Sequence, residues 1–152
     1  MISSALLSTL HLLALAIGLP SVFLRARALG ALRGAGAEDL KPVFAADNVW
    51  GLAALLWIGT GLVRAFGGFE KGSAYYLHSG AFWLKMALFA TLFALELYPM
   101  VTLIRWRMRL SRKQPVDLSP APRLAQLTRL EVALTAAIPF VASAMVRGIG
   151  FG

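Results

Sequence analysis

The sequence predicts an all-α integral membrane protein, a four-helix bundle forming one transmembrane domain over residues 1–152. Three observations carry that prediction. Of the residues, 59% are hydrophobic and 14% charged, whereas a soluble domain carries about a quarter charged residues. Four apolar stretches, about 2–24, 48–66, 81–104 and 130–147, are each close to the roughly 20 residues that a helix needs to cross a bilayer. The stretches lack period-2 alternation, which excludes a β-barrel, and backbone groups in hydrocarbon must then be paired within helices.

The first stretch has no charge between Met1 and Arg25, and its one polar ring is His11, in Leu10-His11-Leu12-Leu13. With no basic residues before it and a length sufficient to span, it reads as a helix rather than a cleavable leader. Gly18-Leu19-Pro20 and Arg25-Ala26-Arg27 mark its end. Residues 25–47 form the first loop, with Gly30, Gly34 and Gly36, and with Glu38-Asp39-Leu40-Lys41-Pro42 as a short surface helix. Asp47 or Asn48 caps the second span, which continues through Trp50 and Trp57 to Arg64 and stops at Gly67-Gly68. Gly51, Ala54, Gly59 and Gly61 make a stripe of small residues suited to close helix approach or a flat ligand.

The second connection, about 67–80, carries Tyr75-Tyr76-Leu77-His78, an aromatic belt at the interface. The third span holds Lys85 and Glu96 in otherwise apolar sequence and ends at Arg105-Trp106-Arg107. Residues 105–129 form the second basic loop, extended around Pro115, Pro120 and Pro122. The fourth span is interrupted by Pro139 and ends at Arg147-Gly148, with Glu131 near its start as a macrodipole partner.

Charge sets the expected orientation. The net charge is +8, and 11 of the 15 Lys and Arg residues lie in the first and third loops. The positive-inside bias places these loops in the cytoplasm and both termini outside a bacterial inner membrane. The same distribution makes the basic clusters lipid anchors rather than a nucleic-acid site. The partners expected are the lipid bilayer and either other membrane subunits or further copies of the chain. Cysteine is absent, which excludes disulfides and thiolate metal sites.

An ionisable residue inside a membrane span is a functional candidate by default. With a rise of about 1.5 Å per residue, His11 lies about 14 Å deep, near the midplane. Lys85, Arg64 and Arg147 lie towards the outer side, and Ala14 and Gly18 follow His11 on its helix face. This set suits haem b, with His11 as axial ligand and metal contact and Arg64, Lys85 and Arg147 near the propionates. A quinone is the other occupant considered. Glu96 is too far from Lys85 to pair with it and is placed to meet Asn48 or another polar group, or to serve a proton path.

The run Leu10-His11-Leu12-Leu13-Ala14-Leu15-Ala16, followed by Pro20 and Arg25, resembles the opening helix of HemJ-type protoporphyrinogen oxidases and the related CopD-like four-helix membrane proteins. Phe82-Trp83-Leu84-Lys85-Met86 is similar to the lysine-bearing start of their third helix. The resemblance implies haem b at His11 and a functional lysine at Lys85. Ala74-Tyr75-Tyr76-Leu77-His78, Trp83-Leu84-Lys85, Leu97-Tyr98-Pro99 and Arg105-Trp106-Arg107 together resemble a family of uncharacterised small bacterial membrane proteins along nearly the whole chain. The expectation is thus a haem-binding membrane protein with a redox role, and the alternatives are a cofactor-free structural or accessory subunit and a small transporter.

Overall fold

The structure, a computed structural model, describes residues 2–32, 36, 39–67 and 80–146. Four α-helices account for nearly all of them: α1 (Ile2–Ala31), α2 (Leu40–Phe66), α3 (Gly80–Ser111) and α4 (Ala121–Val146). All four are long and apolar enough to cross a membrane.

The helices reach further than the apolar stretches. At the arginine-rich end α1 continues to Ala31 instead of stopping near 24, and α2 starts at Leu40 instead of 48. There α3 runs to Ser111 instead of 104, and α4 starts at Ala121 instead of 130. At about 1.5 Å per residue, the 32 residues of α3 span about 48 Å, against a hydrocarbon layer of about 30 Å. The surplus is stabilised by its own core, in which Leu29, Leu40, Val43, Leu103, Trp106 and Leu124 are all buried. Hydropathy alone ends a span at the first charge, whereas a helix ends where its backbone runs out of partners.

The local signals at the ends follow that rule. Leu40-Lys41-Pro42 opens α2 rather than forming a separate surface helix, since Pro42 falls in a first turn that needs no N–H from it. Gly67 closes the helix, its N–H donating to the Val63 carbonyl at 2.8 Å. After α3, Lys113 adopts φ 54°. The N–H groups of Lys113 and Gln114 return to the carbonyls of Leu110 and Arg109, both at 2.9 Å. That is a Schellman closure with lysine where glycine is usual. Pro20, Pro99 and Pro139 lie inside α1, α3 and α4, which membrane helices tolerate when neighbours satisfy the freed carbonyls.

In the packing, α1 lies along both α2 and α4, and α4 along α3. Helices α2 and α3 meet chiefly through long side chains such as Trp57 and Phe89, with ring centroids 6.1 Å apart. The bundle is therefore a ring with one loose seam. Leu12, Leu55, Phe93, Leu130 and Phe140 point outward and are exposed, as expected where the surrounding solvent is lipid. A second apolar cluster, around Ala14, Val22, Trp50, Trp57, Leu92 and Ile138, fills the membrane half.

Of the stripe Gly51, Ala54, Gly59, Gly61, the glycine in close approach to a neighbouring helix is Gly61. A side chain at Gly51 or Gly59 would meet nothing within 4 Å. The tight contacts are Gly18 against Ala53 and Trp50, and Gly61 against the His11 ring.

A buried ionic layer as the candidate functional site

Between the two apolar clusters lies a layer of charge. Arg25 sits on α1 between Val22 and Leu29, and its side chain is 0% exposed. The expectation that Arg25 belongs to a cytoplasmic loop is therefore corrected: the helix carries it inward on the same face as its apolar neighbours three before and four after.

Three helices bring a carboxylate to it. Arg25 Nη1 donates to Asp47 Oδ1 of α2 at 2.8 Å. Its Nη1 and Nη2 form a fork on Glu96 of α3, at 2.8 Å to Oε1 and 2.6 Å to Oε2. Its Nη2 also reaches Glu131 Oε2 of α4 at 2.5 Å. A planar guanidinium with several donors is the side chain suited to such a hub. The Trp50 indole N–H donates to Glu96 Oε2 at 2.9 Å.

Arg107, near the end of α3, extends the layer. Its Nη2 donates to Asp47 Oδ2 at 2.8 Å and its Nη1 to Asn48 Oδ1 at 2.7 Å. The guanidinium lies 4.6 Å from the centroid of the Phe44 ring. Asp47 and Asn48 are thus interior residues of α2 committed to arginines, not the caps of a span. Glu131 is likewise ten residues inside α4 and fully buried, so its partner is Arg25 and not a helix terminus. Glu96 does meet a polar group at this end of the bundle, but the group is Arg25 with Trp50 rather than Asn48.

Some polar atoms around this layer have no hydrogen-bond partner among the described residues. They are Arg25 Nε, Glu131 Oε1, and the hydroxyls of Thr128 and Thr135. Thr128, Glu131 and Thr135 share one face of α4 at helical spacing, and all three are 0% exposed.

His11 belongs to a separate place, further along α1 towards its N-terminus. Its Nδ1 lies 2.9 Å from Thr60 Oγ1. The Thr60 hydroxyl donates to the Leu56 carbonyl at 2.6 Å, so the His11 Nδ1–H is the donor to Thr60. The face expected to leave room for a planar group is filled. Ala14 is buried, Gly18 lies against Ala53 and Trp50, and the Trp57 ring centroid is 5.9 Å from that of His11. Arg64 and Lys85 are half-buried, with Lys85 Nζ 5.5 Å from the Phe82 ring centroid. Arg147, His78 and the Tyr75-Tyr76 pair lie outside the described residues. No group of three or more His, Cys, Asp or Glu side chains is placed to hold a metal ion among the described residues; the centre on which Asp47, Glu96 and Glu131 converge is a guanidinium.

The pattern of the family described as "Predicted membrane protein (DUF2214)" matches residues 3–150. The chain belongs to the DUF2214 membrane-protein family. That match spans both the ionic layer and the His11–Thr60 contact, so both lie within the DUF2214 domain. No curated protein and no solved structure matches the chain.

The ionic layer was the part that sequence reasoning missed. One signal was present: Asp47 and Glu131 each stand at helical spacing from a buried apolar neighbour, Trp50 and Leu124 respectively.

Proposed function

We propose that this integral membrane protein handles protons, and that the Asp47, Glu96 and Glu131 carboxyls gathered on Arg25 are the site that takes up and releases one. A single observation carries the reading: three carboxyls from three helices share two guanidiniums, Arg25 and Arg107. With all five groups ionised, one negative charge is uncompensated in a layer bounded above and below by apolar side chains. An unpaired charge there is expensive, and one proton bound on a carboxyl oxygen removes it. Ionisable residues held inside a bundle are the usual components of proton relays.

The groups facing the layer are Arg25 from α1, Asp47 from α2, Glu96 and Arg107 from α3, and Glu131 from α4. The loops at this end carry the basic excess, so the positive-inside bias turns the site towards the cytoplasm of a bacterial inner membrane. The proton would come from water at that face and return to it, or pass on to a group deeper in the bundle.

Difference infrared spectroscopy of the protein in lipid vesicles tests this. A pH jump should change a carboxylic C=O stretch by about one group per chain, and Glu131→Gln or Glu96→Gln should remove that change. A spectrum without a protonated carboxyl at any pH at which the protein stays folded would leave only the structural reading, a salt-bridge network that holds four helices together.

Haem b at His11 with a redox role is a second reading, favoured by the Nδ1–H···Thr60 bond. Such a bond orients the ring and fixes the tautomer of a ligating histidine. The Ala14–Gly18 face does not fit the porphyrin, because Trp50, Ala53 and Trp57 occupy it, and no step is derived through the group. A Soret band in protein purified from haem-supplied cells, lost in His11→Ala, would establish this reading in place of a cofactor-free one.

A further inference from the structure

One edge of the bundle carries cations that the ionic layer does not use. On α3, Tyr98, Val101 and Arg105 follow at helical spacing, share a face and are all exposed. On α4, Arg123 and Leu130 stand two turns apart on one face, and both are exposed. The Arg123 guanidinium crosses from α4 to α3 and lies 5.3 Å from the centroid of the Tyr98 ring. That contact brings the two faces together along the outer edge of the α3–α4 pair.

No carboxylate answers these arginines among the described residues. Asp47, Glu96 and Glu131 are committed to Arg25 and Arg107. Asp39 accepts from the Gly36 N–H, and Asp117 from Ser119. Depth then separates Arg105 and Arg123 from the other exposed cations at this end. Counted from Phe82, a hydrocarbon layer of about 30 Å takes up about twenty residues of helix. Tyr98 therefore stands just inside its edge and Arg105 just beyond, and Arg123 is held at the same boundary by the Tyr98 ring. Arg112 lies a further two turns out, about 10 Å into the water.

We infer that this edge binds one anionic phospholipid of the leaflet at the arginine-rich end. Its phosphodiester oxygens accept from Arg105 and Arg123, and its acyl chains run along Val101 and Leu130. A guanidinium pairs with phosphate through a fork of parallel N–H groups, and the Tyr98 ring under Arg123 keeps one fork at the depth of the lipid phosphates. A zwitterionic lipid brings a cation of its own against the two arginines, and free phosphate makes no use of the apolar side chains. The site concerns two particular arginines rather than the basic loops as a whole, and it is independent of the proton reading.

Native mass spectrometry of the full chain, released from detergent micelles and titrated with dioleoyl phosphatidylglycerol or dioleoyl phosphatidylcholine, tests this. Expected is saturable binding of one phosphatidylglycerol, with phosphatidylcholine bound more weakly. Arg105→Gln and Arg123→Gln should each weaken binding about fivefold, the electrostatic share of one arginine at a headgroup layer. Arg112→Gln and Lys113→Gln remove the same charge farther out and should leave binding unchanged. Should Arg123→Gln melt below the wild type, Arg123→Lys is read in its place and should still bind more weakly, because an ammonium cannot fork. Equal losses from all four glutamine substitutions reveal a diffuse basic surface and overturn the site, as does equal binding of the two lipids. Displacement of the lipid by inorganic phosphate at matched concentration marks a free-anion site and overturns it as well.

Discussion

Arg25 grips Glu96 with both prongs of its guanidinium, across 71 residues of sequence and from one helix to another. Removing the cation leaves three carboxyls facing each other. Arg25→Met should cost about 3–5 kcal/mol, the size found when one partner of a buried pair is deleted. Arg25→Lys should fall between the two, because an ammonium cannot fork. Unfolding in mild detergent, followed by circular dichroism, measures both. Adding Glu131→Gln to Arg25→Met should recover part of the loss, and strict additivity of the two changes would contradict the shared layer.

Glycines in this chain divide by what faces them. A Cβ at Gly18 would lie 3.3 Å from Ala53 Cβ and 3.4 Å from the Trp50 ring, and Ala53 has no flexible end with which to yield. Gly18→Ala should destabilise by about 1 kcal/mol, overpacking outweighing the gain in helix propensity. Gly51→Ala and Gly59→Ala should be neutral or stabilising by up to about 1 kcal/mol, since nothing stands within 4 Å of either. Ala53→Gly should rescue Gly18→Ala in the same melting assay.

Thr60 is the partner that holds the His11 ring. Thr60→Val keeps the shape and deletes the oxygen, so it should cost about 0.6–1.5 kcal/mol. Thr60→Ser should retain the bond. Nitrogen NMR of the His11 ring reports the tautomer directly, and Thr60→Val should shift the Nδ1 signal while leaving the helix content unchanged.

The connection between α3 and α4 contains a pH-sensitive turn. Asp117 accepts from the Ser119 N–H and from the Ser119 hydroxyl, both at 2.9 Å. The backbone bond first, and the hydroxyl second, hold this carboxyl below its ordinary 3.8. A depressed acid stabilises the folded turn above its unfolded value, and that contribution is lost as the pH falls through the folded one. The turn should therefore stay closed at neutral pH and open only at a pH below the ordinary 3.8 of a free aspartate. Ser119→Ala should raise the titration only part of the way, because the backbone donor remains. The side-chain carbonyl shift of Asp117 in an acid titration gives the answer.

Much of the fold was legible because hydrophobicity and length determine what can cross a bilayer. The helices between Met1 and Arg25, or from Phe82 to Ile104, follow from composition alone. The boundaries were not legible, because Arg25, Asp47 and Glu131 read as the ends of spans when each is paired inside the bundle. A charge is a boundary signal only if it is unpaired, and pairing across 22, 71 and 106 residues leaves no local trace. His11 was legible for the opposite reason: a lone ring in a run of leucines contrasts with everything near it. Its partner Thr60 was not, since a threonine in a membrane helix is ordinary.

The order in which the ionic layer is completed has a consequence for how the chain is made. Synthesis delivers α1 first, so Arg25 emerges before any of its three carboxyls. Asp47 follows with α2, Glu96 with α3, and Glu131 only with the last helix. Until α2 brings Asp47, Arg25 must reach back to the lipid headgroups, as a long cationic side chain can. A chain truncated before α4 therefore has a layer balanced in charge, two carboxylates against two guanidiniums, but open on the side that α4 covers. The final helix closes the bundle and brings the third carboxyl, so the odd charge that calls for a proton exists only in the finished chain.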